Sequence, residues 1–96
     1  MKSDDILSIL RTFKQNAAAE YEIKRIGIFG SFARGEASED SDVDIVFETD
    51  SPNLFRTARM KSDLERLLSR HVDVVRFRTN MNPRLKSRIA REAKYV

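Results

Sequence analysis

The chain has 96 residues, of which 41% are hydrophobic and 34% are charged, with 3 Gly, 2 Pro and no Cys. A chain of this length buries one modest core, so we expect a single domain over residues 1–96. The absence of Cys excludes a disulfide scaffold, a thiolate zinc site and cysteine catalysis. Because His71 is the only histidine, histidine-cluster metal sites and Ser-His-Asp triads are excluded too.

The net charge of +3 is small, but the charges are unevenly distributed. Residues 36–44 contain five acids, whereas residues 84–94 contain five bases and the single acid Glu92. This pattern predicts a cation site and a separate surface for a polyanion or an acidic partner. No apolar run approaches the ~20 residues that span a bilayer, and the charged N-terminal stretch is unlike a signal peptide. We therefore expect a cytoplasmic protein without a membrane partner.

Helices and strands alternate in the predicted order of elements. The patterns predict a helix over 4–19, a strand over 23–29, a short helical turn and loop over 31–41, a strand over 43–48, a helix over 52–70, a strand over 72–77 and a basic helix over 83–94. Ser3 or Asp4 is suited to cap the first helix. Ser51-Pro52 and Asn82-Pro83 each pair a capping residue with a proline at the first helical position.

The order of elements predicts an α/β (α+β) fold, with helices packed on a mixed sheet of three strands or slightly more. The connection over 30–42 is too short for a parallel crossover, so the first two strands should be antiparallel. In the second strand, Val43, Ile45 and Phe47 should face one side, opposite Asp42, Asp44 and Val46. Leu64, Leu67 and Leu68 should be core residues of the helix over 52–70, with Met60 and Met81 at most filling gaps.

Three aspartates stand where apolar strand residues would be expected. Asp42 and Asp44 share a face of one strand, and Asp73 interrupts the apolar run of the next. If these strands are neighbours the carboxylates converge, and two carboxylates ~4 Å apart repel by about 4 kcal/mol at an effective dielectric near 20. A cation relieves this repulsion, and oxygen ligands favour Mg²⁺ or Mn²⁺. Alternatively, Asp42 and Asp44 cap local amides, and Asp73 pairs with Arg76 or Arg25.

The second candidate feature is Phe29-Gly30-Ser31 at the end of the first predicted strand. A strand that ends in Gly and opens into a helical turn presents free amides and a hydroxyl to an anion. Arg34 follows within one helical turn and could contact the same phosphate. Gly-Ser is also a common turn dipeptide, so this feature alone does not distinguish a phosphate site from an ordinary turn.

Together, Gly30-Ser31-Phe32-Ala33-Arg34-Gly35 and Ser41-Asp42-Val43-Asp44, followed by Asp73, resemble the signature of the polymerase β-like nucleotidyltransferase superfamily. The short chain and the details of both motifs resemble its minimal nucleotidyltransferase family. No expected motif position is replaced. The resemblance implies transfer of a nucleoside monophosphate from a nucleoside triphosphate such as ATP to an acceptor hydroxyl, with release of pyrophosphate.

The resemblance also implies a role for each motif residue. Ser31 and the Gly30 amide would hold the β- and γ-phosphates, and Arg34 would stabilise triphosphate charge. Asp42 and Asp44 would hold two Mg²⁺ ions. Asp73 would ligate the second ion and help to deprotonate the acceptor. The two ions would stabilise the attacking and leaving oxygens of an in-line displacement.

Minimal nucleotidyltransferases are often paired with a small helical HEPN ribonuclease toxin, and members attach AMP to a tyrosine of that toxin. The resemblance therefore implies an antitoxin that AMPylates its toxin within a hetero-oligomer. One alternative is an antitoxin that neutralises its partner by binding alone. A second is a basic nucleic-acid-binding domain, although the chain contains no recognisable reader motif. Lys61, on the helix over 52–70, could reach the nucleotide, but the sequence does not place it.

Overall fold

Four helices and four strands alternate along the chain in a computed structural model that describes residues 1–96. In chain order they are α1 (Ser3–Tyr21), β1 (Arg25–Phe29), α2 (Gly30–Arg34), β2 (Val43–Glu48), α3 (Leu54–Leu68), β3 (Val72–Arg76), α4 (Pro83–Glu92) and β4 (Lys94–Tyr95). The predicted fold class is confirmed, and the sheet has four strands because a short strand follows the last helix. No helix combines the length and the apolar character needed to cross a membrane.

The sheet is mixed, with the strand order β3-β2-β1-β4. As predicted, β1 and β2 are antiparallel, with Phe29 opposite Asp44. The α3 crossover makes β2 and β3 parallel, with Asp44 beside Asp73. Strand β2 therefore lies between β3, which contains Asp73, and β1, which leads directly into Gly30 and Ser31. This order brings distant parts of the sequence together at one end of the sheet.

Apolar side chains cover both faces of this sheet. A cluster of 16 buried residues joins α1, α2 and α3 to one face and includes Ile6, Ile28 and Leu64. On the opposite face, α4 packs over a smaller cluster formed by Phe29, Val46, Met81 and Ile89. The predicted alternation along β2 is confirmed, because its odd-numbered apolar residues join the large cluster and Val46 joins the small one.

The predicted cap of α1 is wrong. Lys2, rather than Ser3 or Asp4, is the N-cap residue, and it makes no side-chain capping bond of its own to the helix. Instead, the Lys2 backbone amide donates to Oδ2 of Asp5 at 2.8 Å. Asp5, an acid in the first turn, thus accepts a hydrogen bond from the backbone amide of the residue before the helix. This bond replaces the one that a capping hydroxyl would make.

The sequence predicts the N-cap of α4 correctly but not that of α3. Helix α3 begins at Leu54, because the Asn53 side chain accepts from the Arg56 amide at 3.0 Å, so the predicted start at Ser51-Pro52 is wrong by two residues. For α4 the predicted cap is confirmed, since the Asn82 side chain accepts from the Arg84 amide at 2.9 Å.

The basic helix ends at Glu92, two residues earlier than predicted, and the chain then turns into β4. Ala93 has extended dihedral angles, and Lys94 and Tyr95 pair with Ile28 and Gly27 of β1. A Cβ on Gly27 would lie 2.8 Å from Cα of Tyr95, so only glycine permits this close approach. A strand of two residues is too short to show an alternating pattern, so the helical pattern alone predicts a helix that continues through residue 94.

Burial corrects three of the predicted core assignments. Leu67 is 53% exposed, whereas Leu64 and Leu68 are buried as predicted. Met60 and Met81, predicted to fill gaps at most, are both buried members of the two core clusters. On α3 the buried positions Met60, Leu64 and Leu68 recur every four residues, which turns Leu67 away from the core.

Leu64 and Leu67 form a matched pair for testing this burial. Because Leu64 is fully buried, we expect Leu64→Ala to lower the free energy of unfolding by about 2–5 kcal/mol. Leu67→Ala should cost less than about 1 kcal/mol, since it leaves no internal cavity. Urea denaturation of both variants measures the difference, and equal losses would contradict the assigned orientation of α3.

Candidate active site

Strand register places two of the three predicted carboxylates side by side. Asp44 and Asp73 are direct neighbours on the parallel strands β2 and β3, so their side chains emerge on the same face. Asp42 precedes β2 and is exposed, Asp44 is half-buried, and Asp73 is exposed on the outer strand. The three residues therefore lie at one end of the sheet, on the face that α4 covers.

None of these three carboxylates is neutralised by the protein. The ion pairs of the chain involve other acids, and Arg25, one of the predicted partners of Asp73, pairs with Glu48 at 3.0 Å. Burial and the adjacent charge of Asp73 raise the pKa of Asp44, with a further contribution from Asp42, against the opposing charges of Arg88 and Arg34. Both alternatives, local capping and ion pairing, are absent, and the negative charge of the site is only partly offset by these two arginines.

This charge distribution fits a cation, although the side chains do not form a finished cage. No group of three or more His, Asp or Glu side chains is gathered closely enough to hold a metal ion. The available ligands are carboxylate oxygens only, the chemistry that Mg²⁺ and Mn²⁺ prefer. A divalent cation would also relieve the repulsion that raises the pKa of Asp44.

Gly30 joins the end of β1 to α2 directly beside Asp44. Its φ of +76° lies in the left-handed region, and an added Cβ would overlap Oδ2 of Asp44 and lie 3.0 Å from its Cγ. Both the backbone conformation and the space require glycine here. The Gly-Ser dipeptide predicted from the sequence is therefore packed against one of the predicted carboxylates.

The other groups predicted to bind phosphate have different surroundings. The Ser31 side chain is half-buried and makes no hydrogen bond within the protein. Arg34 is already engaged: its Nε donates to Glu36 at 3.1 Å and its Nη1 to Glu92 at 3.0 Å. These two carboxylates, Glu36 first, raise the pKa of Arg34. Ser31 is thus free to meet a ligand, whereas Arg34 is held by its own chain.

An open cleft of about 530 Å³ lies beside the carboxylates, between α3, β3 and α4. Asp44 and Asp73 line it, together with Lys61 of α3 and Arg88 of α4. The cleft thus has acidic groups on its floor and a basic side chain on each flanking helix. This arrangement can hold a multiply charged anion together with cations, because each charge then has a counter-charge within reach.

Comparison with known proteins agrees with this arrangement. A model of the nucleotidyltransferase domain matches residues 8–96. The chain belongs to the nucleotidyltransferase domain family. It is 36% identical over 94 residues to the protein adenylyltransferase MntA of Thermococcus cleftensis. The aligned region covers 97% of this chain and 94% of that protein.

Two solved structures share the fold of this chain. One described as a minimal nucleotidyltransferase has a TM-score of 0.78 and 37% identity, covering 98% of this chain and 95% of that one. A toxin–antitoxin protein crystallised with AMP-PNP has a TM-score of 0.76 over 92% of this chain and 69% of that one, and at 19% identity it supports the fold alone. The resemblance to minimal nucleotidyltransferases is confirmed.

Sequence reasoning missed two residues that lie beside the predicted ones, Arg88 in the cleft and Glu92 on the Gly30 amide, and left Lys61 unplaced. Arg88 was one of several bases on the predicted basic helix, and the sequence did not show which of them lies beside the carboxylates. Glu92 was visible as the single acid of the basic segment, and that exception was the available signal. Lys61 could be placed only once the cleft between α3 and β3 was known.

The repulsion at Asp44 predicts that this carboxylate costs stability. A folded-state pKa above the unfolded value means that ionisation disfavours the folded protein, in full above the folded pKa and not at all below the unfolded value near 3.9. With chelator present, we expect Asp44→Asn to raise the Tm at pH 7. Even ~0.5 kcal/mol would shift it by about 2–4 °C.

The expected gain should shrink as the pH falls through the raised folded-state pKa of Asp44 and should vanish below the unfolded value near 3.9, where Asp44 is protonated in both states. Asp40→Asn, at an exposed acid of the preceding loop, is the matched control and should change the Tm little. Calorimetry across this pH range measures both variants. A gain that does not depend on pH would contradict a charge-based cost at Asp44.

Gly30 and Gly35 allow the contact with Asp44 to be isolated from backbone strain. Their φ angles are +76° and +73°, but an added Cβ meets Asp44 only at Gly30 and nothing within 4 Å at Gly35. We expect Gly35→Ala to cost about 1–2 kcal/mol through strain. Gly30→Ala should cost at least ~1 kcal/mol more, because Asp44 must move. Urea unfolding measures both, and equal costs would show that Asp44 does not pack on Gly30.

Proposed function

We propose that this nucleotidyltransferase transfers AMP from ATP to a hydroxyl of a partner protein, a tyrosine of a HEPN-type toxin, and thereby acts as an antitoxin. The observation that carries the proposal is the pair Asp44 and Asp73, unneutralised and side by side beside the Gly30-Ser31 turn. Homology to the adenylyltransferase MntA supports the donor nucleotide and the protein acceptor. The fold shared with a toxin–antitoxin protein that contains AMP-PNP agrees with both.

In the proposed reaction, Asp42, Asp44 and Asp73 would hold two Mg²⁺ ions. When bound, such ions supply charge stabilisation for the attacking and leaving oxygens. The acceptor oxygen forms a bond to the α-phosphorus of ATP, the bond from that phosphorus to the bridging oxygen breaks, and pyrophosphate leaves. Asp73, which lines the cleft and is exposed to solvent, takes the proton of the acceptor hydroxyl and passes it to solvent.

The remaining charges of the cleft have a place in this reaction. The Ser31 hydroxyl, which has no partner in the chain, would donate to a phosphate oxygen. Lys61 and Arg88 line the cleft on either side of the aspartates and would offset the charge of the triphosphate and of the departing pyrophosphate.

The shape of the cleft supports an acceptor that comes from another protein. The cleft is open, and Asp73 in its lining is exposed. Leu54 and Phe55, at the start of α3, are 87% and 88% exposed, and Leu54 also lines the cleft. Large apolar side chains with such exposure at the rim of a site are typical of a surface that a partner covers.

The proposal predicts AMP transfer that depends on the aspartates. With Mg²⁺, ATP labelled at the α-phosphate and the co-expressed partner, label should move onto the partner. Asp42→Asn/Asp44→Asn should lower the rate by ~100-fold or more, because metal-assisted charge stabilisation is worth several kcal/mol. Asp40→Asn is the control for loss of an acid outside the cleft, and replacing Mg²⁺ with chelator should abolish transfer.

The outcomes separate the proposal from a binding antitoxin. Transfer that survives the double substitution would contradict catalysis by these carboxylates. No transfer by the unmodified protein, combined with a double variant that still binds and silences the partner, would show that neutralisation needs binding alone. Mass spectrometry of the labelled partner identifies the acceptor, and Tyr→Phe at that position should remove the label.

A further inference from the structure

Glu92 connects α4 to the turn that carries the Gly-Ser motif. Its Oε1 accepts from the Gly30 amide at 3.0 Å and from Nη1 of Arg34 at 3.0 Å, and Nη2 of Arg88 lies 3.8 Å away. The Glu92 side chain is only 14% exposed. One carboxylate oxygen thus joins the backbone of the turn, the arginine of the motif and an arginine of the cleft.

This contact alters what the motif can offer to a nucleotide. A backbone amide has one hydrogen and directs it to one strong acceptor, so the Gly30 amide cannot serve Glu92 and a phosphate at once. Arg34 has the same partner and a second one in Glu36. Two of the three groups that the resemblance assigns to the phosphates are therefore engaged by Glu92, and only Ser31 is left free.

Two arrangements could explain an acidic side chain at this position. In the first, Glu92 competes with the triphosphate and must leave when ATP binds. In the second, it stays and holds the turn in place. The backbone around Glu92 favours the second, because Ala93 donates to the carbonyl of Ile89 at 2.9 Å and Val96 donates to that of Ile26 at 3.0 Å. The residue is thereby fixed between the end of α4 and the paired strand β4.

The charge balance also favours a carboxylate that stays. Burial opposes ionisation of Glu92, but the Gly30 amide and Arg34 outweigh it and hold its pKa below the usual value. Withdrawal would separate the Glu92 carboxylate from both the Gly30 amide and Arg34, and a phosphate would have to replace it on both. If Glu92 stays, the Gly30 amide and Arg34 keep their acceptor. The Ser31 hydroxyl, which makes no hydrogen bond within the chain, is still available to a phosphate.

We propose that Glu92 is a positioning residue of the transfer reaction, which fixes the Gly30 turn and Arg34 while ATP binds through Ser31 and the bases of the cleft. The inference rests on the proposed function and deepens it. It assigns the Gly30 amide to Glu92 rather than to the phosphates. Glu92 itself touches neither ATP nor the acceptor, and acts through the turn that it holds.

The test compares Glu92→Ala with Glu92→Gln, using the full chain with Mg²⁺, ATP and the partner. Glutamine keeps an oxygen that can accept from the Gly30 amide, whereas alanine does not. We expect Glu92→Ala to raise the KM for ATP by about tenfold, the effect of losing one charge-assisted hydrogen bond, with a smaller change in kcat. Glu92→Gln should recover most of that loss.

Glu36→Ala is the matched control, because Glu36 also pairs with Arg34 but makes no bond to Gly30. The KM of Glu36→Ala for ATP should stay within about twofold of the value for the unmodified protein. Amide hydrogen exchange by NMR, without nucleotide, gives a direct readout. Exchange at Gly30 should accelerate about tenfold or more in Glu92→Ala and much less in Glu92→Gln.

A lower KM in Glu92→Ala would overturn the proposal, since it would identify Glu92 as a competitor of the triphosphate. An unchanged KM would overturn it as well, and so would a glutamine variant as impaired as the alanine variant. If the unmodified protein binds AMP-PNP but transfers no AMP, the proposed function fails. The role of Glu92 is then still decided by AMP-PNP affinity and Gly30 exchange in the same three variants.

Discussion

The site depends on the repulsion between Asp44 and Asp73, which strand register enforces. Parallel pairing of β2 with β3 sets the two residues side by side, and neither can move to the other face without leaving the sheet. The protein neutralises neither of them, although it pairs Glu92, Glu36 and other acids within the same small domain. A marginally stable domain retains such a cost only if something outside the chain relieves it. This is why the carboxylate pair, more than the fold, supports the proposal of a cation-dependent reaction.

The Gly30 turn follows from the same register. Phe29 lies opposite Asp44, so the residue after Phe29 must pass directly over the Asp44 side chain, and only glycine leaves room for that carboxylate. Glu92 then approaches from the far end of the sequence and holds the turn from the other side. Three segments that are distant in the sequence thus fix one another, and a change in any one of them should be felt at the other two.

Much of this could be predicted from the sequence, because the signals were local. The apolar periods predicted every element except α2, which was expected as a short helical turn from its polar residues and Gly35, and β4, which was not expected. The short connection before Asp42 predicted the antiparallel pair. The grouping of Asp44 with Asp73 needed only the assumption that their strands are neighbours. The exposure of Leu67 and the start of α3 could not be predicted from the sequence, and neither could the contacts of Arg88 and Glu92. Each depends on how a helix is rotated or where it ends against the sheet. Periodicity predicts that a helix has an apolar face, but tertiary packing selects which residues form its centre.

The contrast between paired and unpaired acids also bears on the choice between an enzyme and a binding module. In a module that acts only by binding, nothing requires Asp44 and Asp73 to stay adjacent and uncompensated, and substitution of either would relieve the domain of their repulsion. The bases could have relieved it as well, yet Arg34 is directed to Glu36 and Glu92 instead. Arg88 and Lys61 line the cleft and form no ion pair with either aspartate. The chain therefore keeps positive and negative groups apart across an open cleft, which costs stability in the free protein and favours a ligand that brings both phosphates and cations.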